Sequence, residues 1–162
     1  MIDSASNKRV NEKLSEFIPH HIAVAHHISR RILVTVLKAE NIPLTPEQFV
    51  VLIHVQSLQP VSQKVLARSI GRDDSNITRT VDNLEQKGCL ERTSESIDRR
   101  INKIRLKKAG KEIIGKGMPL LQDLNKSILE GFQEKEVQQF IRFLEKLNEN
   151  TNKYTMAGGD EA

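Results

Sequence analysis

The sequence predicts a mainly α fold with a small β-wing. Apolar residues recur at intervals of three and four through most of the 162 residues, the period of helices that bury one face. Leu90-Glu91-Arg92-Thr93 and Asn102-Lys103-Ile104-Arg105-Leu106 alternate apolar and polar residues, which points to one small hairpin. Between Val61 and Gly88 two short helical patterns meet at a glycine, which is the layout of a helix-turn-helix.

Residues 1–9 are polar. Leu14, Phe17, Ile18, Ile22, Ala25, Ile28, Ile32 and Val36 then mark a long helix running to about Glu40. Pro19 belongs in its first turn or interrupts it, so that a short leading helix meets the main one at a kink. Asn41 and Pro43 end it. Thr45-Pro46-Glu47-Gln48 opens the next helix with a capping box, Leu44 and Phe49 have the spacing of a hydrophobic staple, and the helix should end near Leu58, before Pro60.

In VSQKVLARSIG, Ser62 can cap a helix whose apolar face is Leu66, Ile70 and Val65. Gly71 can adopt the left-handed conformation that reverses the chain, and Ala67 leaves room for a second helix to cross closely. That second helix starts in Asp73-Asp74-Ser75 and stops at Lys87-Gly88. At 100° per residue, Ile77, Val81 and Leu84 fall on one inward arc. The opposite arc carries Ser75, Arg79, Asp82, Asn83 and Gln86, side chains suited to base edges and phosphates rather than the Lys and Glu of an ordinary solvated face.

The loop SESIDRRI between the two alternating segments is too polar to pack and should project as a wing. Asp98 can hold the guanidinium of Arg100 at its tip, a probe suited to a narrow, electronegative minor groove. From Arg99 to Lys111 there are seven Lys or Arg and no acid, directly beside the helix-turn-helix. After the wing, Ala109, Ile113, Leu121, Leu124, Ile128 and Phe132 form a long helix weakened by Gly115, Gly117 and Pro119, where a kink is expected. A last helix from about Glu134 carries Val137, Phe140, Ile141, Leu144 and Leu147. The closing TMAGGDEA offers nothing to bury, so 154–162 should be a flexible tail.

Composition narrows the function classes. With 38% hydrophobic and 28% charged residues the chain suits one soluble domain, 1–162. Aromatic residues are 4% and Trp is absent, which argues against a carbohydrate platform or a stacking site for single strands. A net charge of +4 favours a polyanionic partner. One cysteine excludes an internal disulfide framework, and with no signal peptide or long apolar run the expectation is a cytoplasmic protein with no membrane partner.

Chemistry-bearing residues are few. No glycine-rich phosphate loop, nucleophile elbow or metal-ligand pair is visible, so neither an enzyme nor a cofactor is expected. The doublets His20-His21 and His26-His27 lack the i, i+3 or i, i+4 spacing that two ligands on one helix need, so no metal site is assigned to them. His54 reads as a core-edge residue. Cys89 reads as a buried small side chain at the base of the wing.

The stretches LTPEQFVVL, SNITRTVDNLEQKGCLER and DRRINKIRL resemble the MarR family of winged-helix transcriptional regulators. The likeness covers nearly the whole chain as architecture, and its specific part is Leu44 to Leu106. Asp98 and Arg100 match the family's Asp-x-Arg wing motif, and Thr78-Arg79 match the Thr-Arg of its recognition helix. The chain departs from the family at Leu106-Lys107, where a Leu-Thr is usual, and loses a hydroxyl cap worth about 0.5 to 2 kcal/mol.

The resemblance implies a winged helix-turn-helix lobe at 44–106, with dimerisation helices at 10–40 and 108–152. It implies a homodimer, which would also bury the apolar stripes of the terminal helices. The expected partner is double-stranded DNA carrying a pseudo-palindromic operator. Ser62, Ser75, Asn76, Thr78, Arg79, Asn83, Arg99, Arg100 and Lys103 are the candidate DNA contacts, with Asp98 as support for the wing. By the same resemblance, a repressor would be released by a small aromatic or anionic effector, in a crevice to which Ile28, Arg31, Phe49, Ile53 and His54 contribute. Family members that sense oxidation carry a cysteine in the first long helix, where this chain has none. Two other readings stay open on the residues: a metal- or redox-responsive regulator of the same fold, and a winged-helix protein-interaction module without DNA binding.

Overall fold

The structure is a computed structural model that describes residues 14–94 and 102–157. Among the described residues the elements run α1 (Ile18–Ala39), α2 (Pro46–Leu58), β1 (Val61–Ser62), α3 (Gln63–Ile70), α4 (Asp74–Gln86), β2 (Leu90–Ser94), β3 (Asn102–Leu106), α5 (Lys108–Ile128) and α6 (Glu134–Ala157). The mainly α class with a small β-wing holds.

The helix ends follow from local chemistry. A helical turn at 14–16 precedes α1 across Phe17, and Pro19 lies in the first turn of α1, where its missing N–H costs nothing. Asn41, at a φ of 53°, closes α1, and Ile42 N–H reaches back to Leu37 O at 2.9 Å. Thr45 caps α2 in a reciprocal box with Gln48, each contact 3.2 Å. Gly71, at a φ of 69°, ends α3 with Arg72 N–H on Ala67 O at 3.0 Å.

The sheet has one strand more than the alternation predicts. β1 pairs antiparallel with β3, which also pairs with β2, so the order is β1-β3-β2. Two residues are too short for a visible alternation. Val61 is nevertheless buried opposite Ile104, and the Gln59 side chain accepts Leu106 N–H at 2.9 Å.

The core lies within residues 1–121, one of two compact units; the other is 122–162. Leu37, Leu44, Phe49, Leu52, Val55, Leu66, Ile77, Val81, Leu84, Leu90, Ile104 and Ile114 fill it, which places the helix-turn-helix and the hairpin base on one apolar centre. Val65, expected on the apolar face of α3, is instead 49% exposed. That helix is only two turns long, and Leu66 with Ala67 suffices to seat it.

α5 is continuous through Pro119. Its glycines have different causes. A Cβ on Gly110 would stand 2.4 Å from Cys89 O, so this glycine lets the helix begin hard against the backbone that leads into β2. α6 runs through Ala157, four residues into the expected tail, while 158–162 lie outside the described residues. No helix among the described residues is long and apolar enough to cross a membrane.

Candidate nucleic-acid interface

α4 presents its outward face because its inner face is fully used: Ile77, Val81 and Leu84 are each 0% exposed. Asp73 caps its N-terminus. One carboxylate oxygen accepts Asn76 N–H at 2.8 Å and Ser75 Oγ–H at 2.7 Å, and the other accepts the Asn76 side-chain amide at 2.6 Å. The hydrogen bonds from Ser75 and Asn76 hold the Asp73 carboxyl at about 2, below its ordinary 3.8. Ser75 and Asn76, two candidate DNA contacts, therefore have their donors engaged in shaping the start of the helix.

Thr78 is engaged as well. Its hydroxyl donates to Asp74 O at 2.7 Å and accepts from Gln63 Nε2 of α3 at 2.6 Å, which cross-braces the two helices. Asn83, which is exposed, gives an amide hydrogen to Arg79 O at 2.8 Å. The Arg79 guanidinium is exposed and has no hydrogen bond or ion pair among the described residues. Ser62 caps α3 by accepting Val65 N–H at 3.5 Å, and Lys103 sits half-buried on the central strand between Ser62 and Thr93. Asp98, Arg99 and Arg100 lie outside the described residues.

The outward arc loses one member. Asp82 is turned to Arg92 of β2, whose Nη2 lies 2.6 Å from its carboxylate, while Arg92 Nη1 pairs with Glu85. The spacing of Asp82 and Glu85, one helical turn apart, held this signal, but the arginine that answers them follows the next turn of chain and is invisible to helical periodicity. At the other end of α4, Lys87 Nζ donates to Pro43 O at 2.6 Å and to Gln48 Oε1 at 3.2 Å. Exposed Lys64, Arg68, Arg72, Arg79 and Arg105 carry no ion pair among the described residues, so the lobe is bordered by uncompensated positive charge.

A cavity of about 390 Å³ opens between α1, α2 and the helix-turn-helix, with Ser29, Arg30, Leu33, Glu47, Arg72 and Thr80 on its walls. Arg30 Nε meets Glu47 Oε1 at 2.7 Å across it. Burial raises the Glu47 pKa, but the hydrogen bonds led by that from Arg30 outweigh it and leave the carboxyl below its ordinary value.

None of Ile28, Arg31, Phe49, Ile53 and His54 lines this cavity. Phe49 is 0% exposed in the core, Ile28 and Arg31 lie on exposed arcs of α1, and Ile53 packs against the core. His54 faces α3, with its Nδ1 3.1 Å from Ser69 Oγ, and its partial burial lowers its pKa. On α1 the walls, Ser29, Arg30 and Leu33, lie on the face of the helix opposite Ile28 and Arg31.

The remaining candidates have local roles. Cys89 is 2% exposed, and burial pushes its thiol up, with the Lys87 charge pulling the other way. The rings of His20 and His21 meet edge to face at 5.6 Å, and His21 Nε2 lies 2.8 Å from Ser15 O. Among the described residues no three His, Cys, Asp or Glu side chains are placed to share a metal ion.

Residues 44–101 match the family model described as MarR family. That segment holds the helix-turn-helix and the base of the hairpin. The chain's fold is also that of solved MarR-family proteins. Escherichia coli MarR in its apo form is 23% identical, with 81% of this chain and 96% of that one covered at a TM-score of 0.64. The transcriptional repressor CouR, bound to a 23-mer DNA duplex, is 21% identical over 84% and 95% at 0.74. The Streptomyces coelicolor regulator PcaV, in complex with its natural ligand, is 19% identical over 84% and 94% at 0.75. At these identities the likeness is one of fold, and the matched residues 44–101 include the braced helices described above.

Proposed function

We propose that this chain is a MarR-family, sequence-specific, double-stranded DNA-binding transcriptional regulator and not an enzyme, acting as a homodimeric repressor that a small molecule releases. The observation that carries the reading is Arg79: an unpaired, exposed guanidinium, among the described residues, on a helix fixed at its N-cap, its inner face and its C-terminus. A guanidinium held on a rigid helix can make a bidentate contact to guanine O6 and N7. The DNA-bound CouR of like fold supports the same partner.

Dimerisation follows from what stays bare. Phe17, just before α1, and Ile18 and Ile28 on α1 are each more than half exposed, and on α6 so are Phe140 and Phe143. A second copy would cover both faces and set two α4 helices on successive major grooves. The cavity beside Gly71-Arg72 is the place for an effector, because it touches the turn that leads into the α4 cap. Its one internal ion pair would be exchanged for contacts to the ligand.

Genome-wide mapping of bound sites, followed by mobility shift on the recovered duplexes, tests the reading. The expected result is a shared pseudo-palindrome bound by the dimer. Absence of preference for any genomic duplex would replace it with the protein-interaction module.

A further inference from the structure

Strand β2 presents Leu90 and Arg92 to the same side, since alternate residues of a strand share a face. Across the pair, Leu90 stands opposite Leu106 and Arg92 opposite Ile104. Leu90, Leu106 and Ile104 are buried in the core, so Arg92 occupies the inward position at which the apolar seam runs out toward the wing. No apolar side chain of β2 beyond it, among the described residues, joins the hairpin to α4.

Arg92 fills that place with a polar clamp. Its guanidinium takes Asp82 at 2.6 Å and Glu85 of α4, its backbone N–H donates to Glu85 Oε1 at 3.0 Å, and its Nη2 lies 3.5 Å from Gln63 Oε1 of α3. Gln63 passes the link to Thr78. One side chain thus touches the strand, the recognition helix and the first helix of the motif. Removing it would leave two carboxylates facing each other one helical turn apart with no cation between them.

We propose that Arg92 is a positioning residue that fixes the angle of the hairpin to α4, so that the wing and the recognition helix engage DNA as one rigid unit. The DNA half of this inference rests on the function proposed above. The coupling itself does not. Arg92 need touch no nucleotide, and its loss should separate two contacts that otherwise stand or fall together.

Two measurements on the full-length protein test it, with Arg92→Met as the variant and Asp82→Asn as a milder second that keeps the guanidinium. In the DNA-free protein, backbone amide hydrogen exchange at residues 90–94 and 102–106 should accelerate about tenfold in Arg92→Met and less in Asp82→Asn, with 47–58 and 77–86 unchanged. Unchanged exchange in the strands, or equal acceleration everywhere, overturns the clamp. Should Arg92→Met fail to fold, the local acceleration in Asp82→Asn decides. On bound duplex, Arg92→Met should keep protection of guanine N7 in the major groove and lose hydroxyl-radical protection in the flanking minor groove. Proportional loss of both, or loss of neither, overturns it. If wild-type protein footprints no duplex, the proposed function fails, and hydrogen exchange still decides the clamp.

Discussion

Gly117 of α5 lies against the ring of Phe49: a Cβ at that glycine would stand 2.3 Å from Phe49 Cζ and 2.6 Å from Cε2. Phe49 is fully buried and cannot swing away. The glycine is thus a contact point between α5 and α2. Gly115, two residues earlier, has nothing within 4 Å of its missing Cβ and borders a separate cavity lined by Gln56, Gln59 and Lys111.

The two positions should respond oppositely to the same change. We expect Gly117→Ala to destabilise the fold by about 1 to 3 kcal/mol through overpacking. Gly115→Ala should stabilise it by up to about 1 kcal/mol, the gain of alanine over glycine inside a helix. Denaturant unfolding at equal protein concentration measures both. Equal loss in both variants would mean that helix propensity and the Phe49 contact are not what distinguishes them.

Asp73 predicts a pH dependence. Its folded pKa of about 2 lies below the ordinary 3.8, so its contribution to stability is fully present above pH 3.8 and disappears as pH falls through about 2. Asp73→Ala should lower stability at neutral pH, as loss of an N-cap does. The gap between wild type and variant should close on acidification across that window. A gap independent of pH would show that the charge of Asp73 plays no part in the cap.

These contrasts show what a single sequence can and cannot disclose. The Thr45 box, the Asp73 cap, the Gly71 reversal and the buried Ile77, Val81 and Leu84 were legible because each is decided within one or two turns of chain. Gly115 and Gly117 read alike, since what separates them is a ring 68 positions upstream of Gly117. Asp82 read as outward for the same reason: helical periodicity places it at the edge of the solvent arc, and only the returning strand supplies Arg92. The residues that line the cavity are not given by the apolar pattern, because an apolar stripe announces that a helix is buried, not which neighbour each flank meets. β1 escaped because two residues carry no period at all.

Cys89 should behave as a core side chain rather than a switch. Its thiol is buried with a raised pKa, and Sγ lies 3.7 Å from Lys87 O, a contact that serine can reproduce. We expect Cys89→Ser to leave DNA affinity and its response to peroxide unchanged, and native wild type to resist alkylation until unfolded. Loss of an existing peroxide response in Cys89→Ser would make the thiol a sensor.

The apolar faces of α1 and α6 should make the dimer obligate. Phe140 and Phe143 are 62% and 59% exposed, a poor arrangement for an isolated chain. Sedimentation at micromolar concentration should show a dimer, and a charged residue at Phe140 should shift it toward monomer with lower stability. A folded, soluble wild-type monomer as the main species would sink the dimer and the palindromic operator with it.

The division of labour between Arg79 and Arg100 separates a DNA regulator from the interaction module. Arg79 stands unpaired among the described residues on the outward arc of α4, where a bidentate guanine contact would be worth about 1 to 3 kcal/mol of discrimination between bases. Arg79→Ala should therefore blur sequence choice. Arg100 lies in the loop between β2 and β3, outside the described residues, and its expected role rests on the Asp98-x-Arg100 spacing: sensing minor-groove width and phosphate charge. Arg100→Ala should weaken operator and scrambled duplex together and disturb base preference less. A dimer that loses both copies of Arg100 should also show a slope of log affinity against log salt smaller by up to about 2 units. Asp98→Ala should reproduce part of that change by releasing the guanidinium. The measurement is a salt titration of wild type and the three variants on operator and scrambled duplex, after each is confirmed as a folded dimer. Unchanged binding by both arginine variants would remove the basis for DNA reading by this lobe and leave the interaction module in its place.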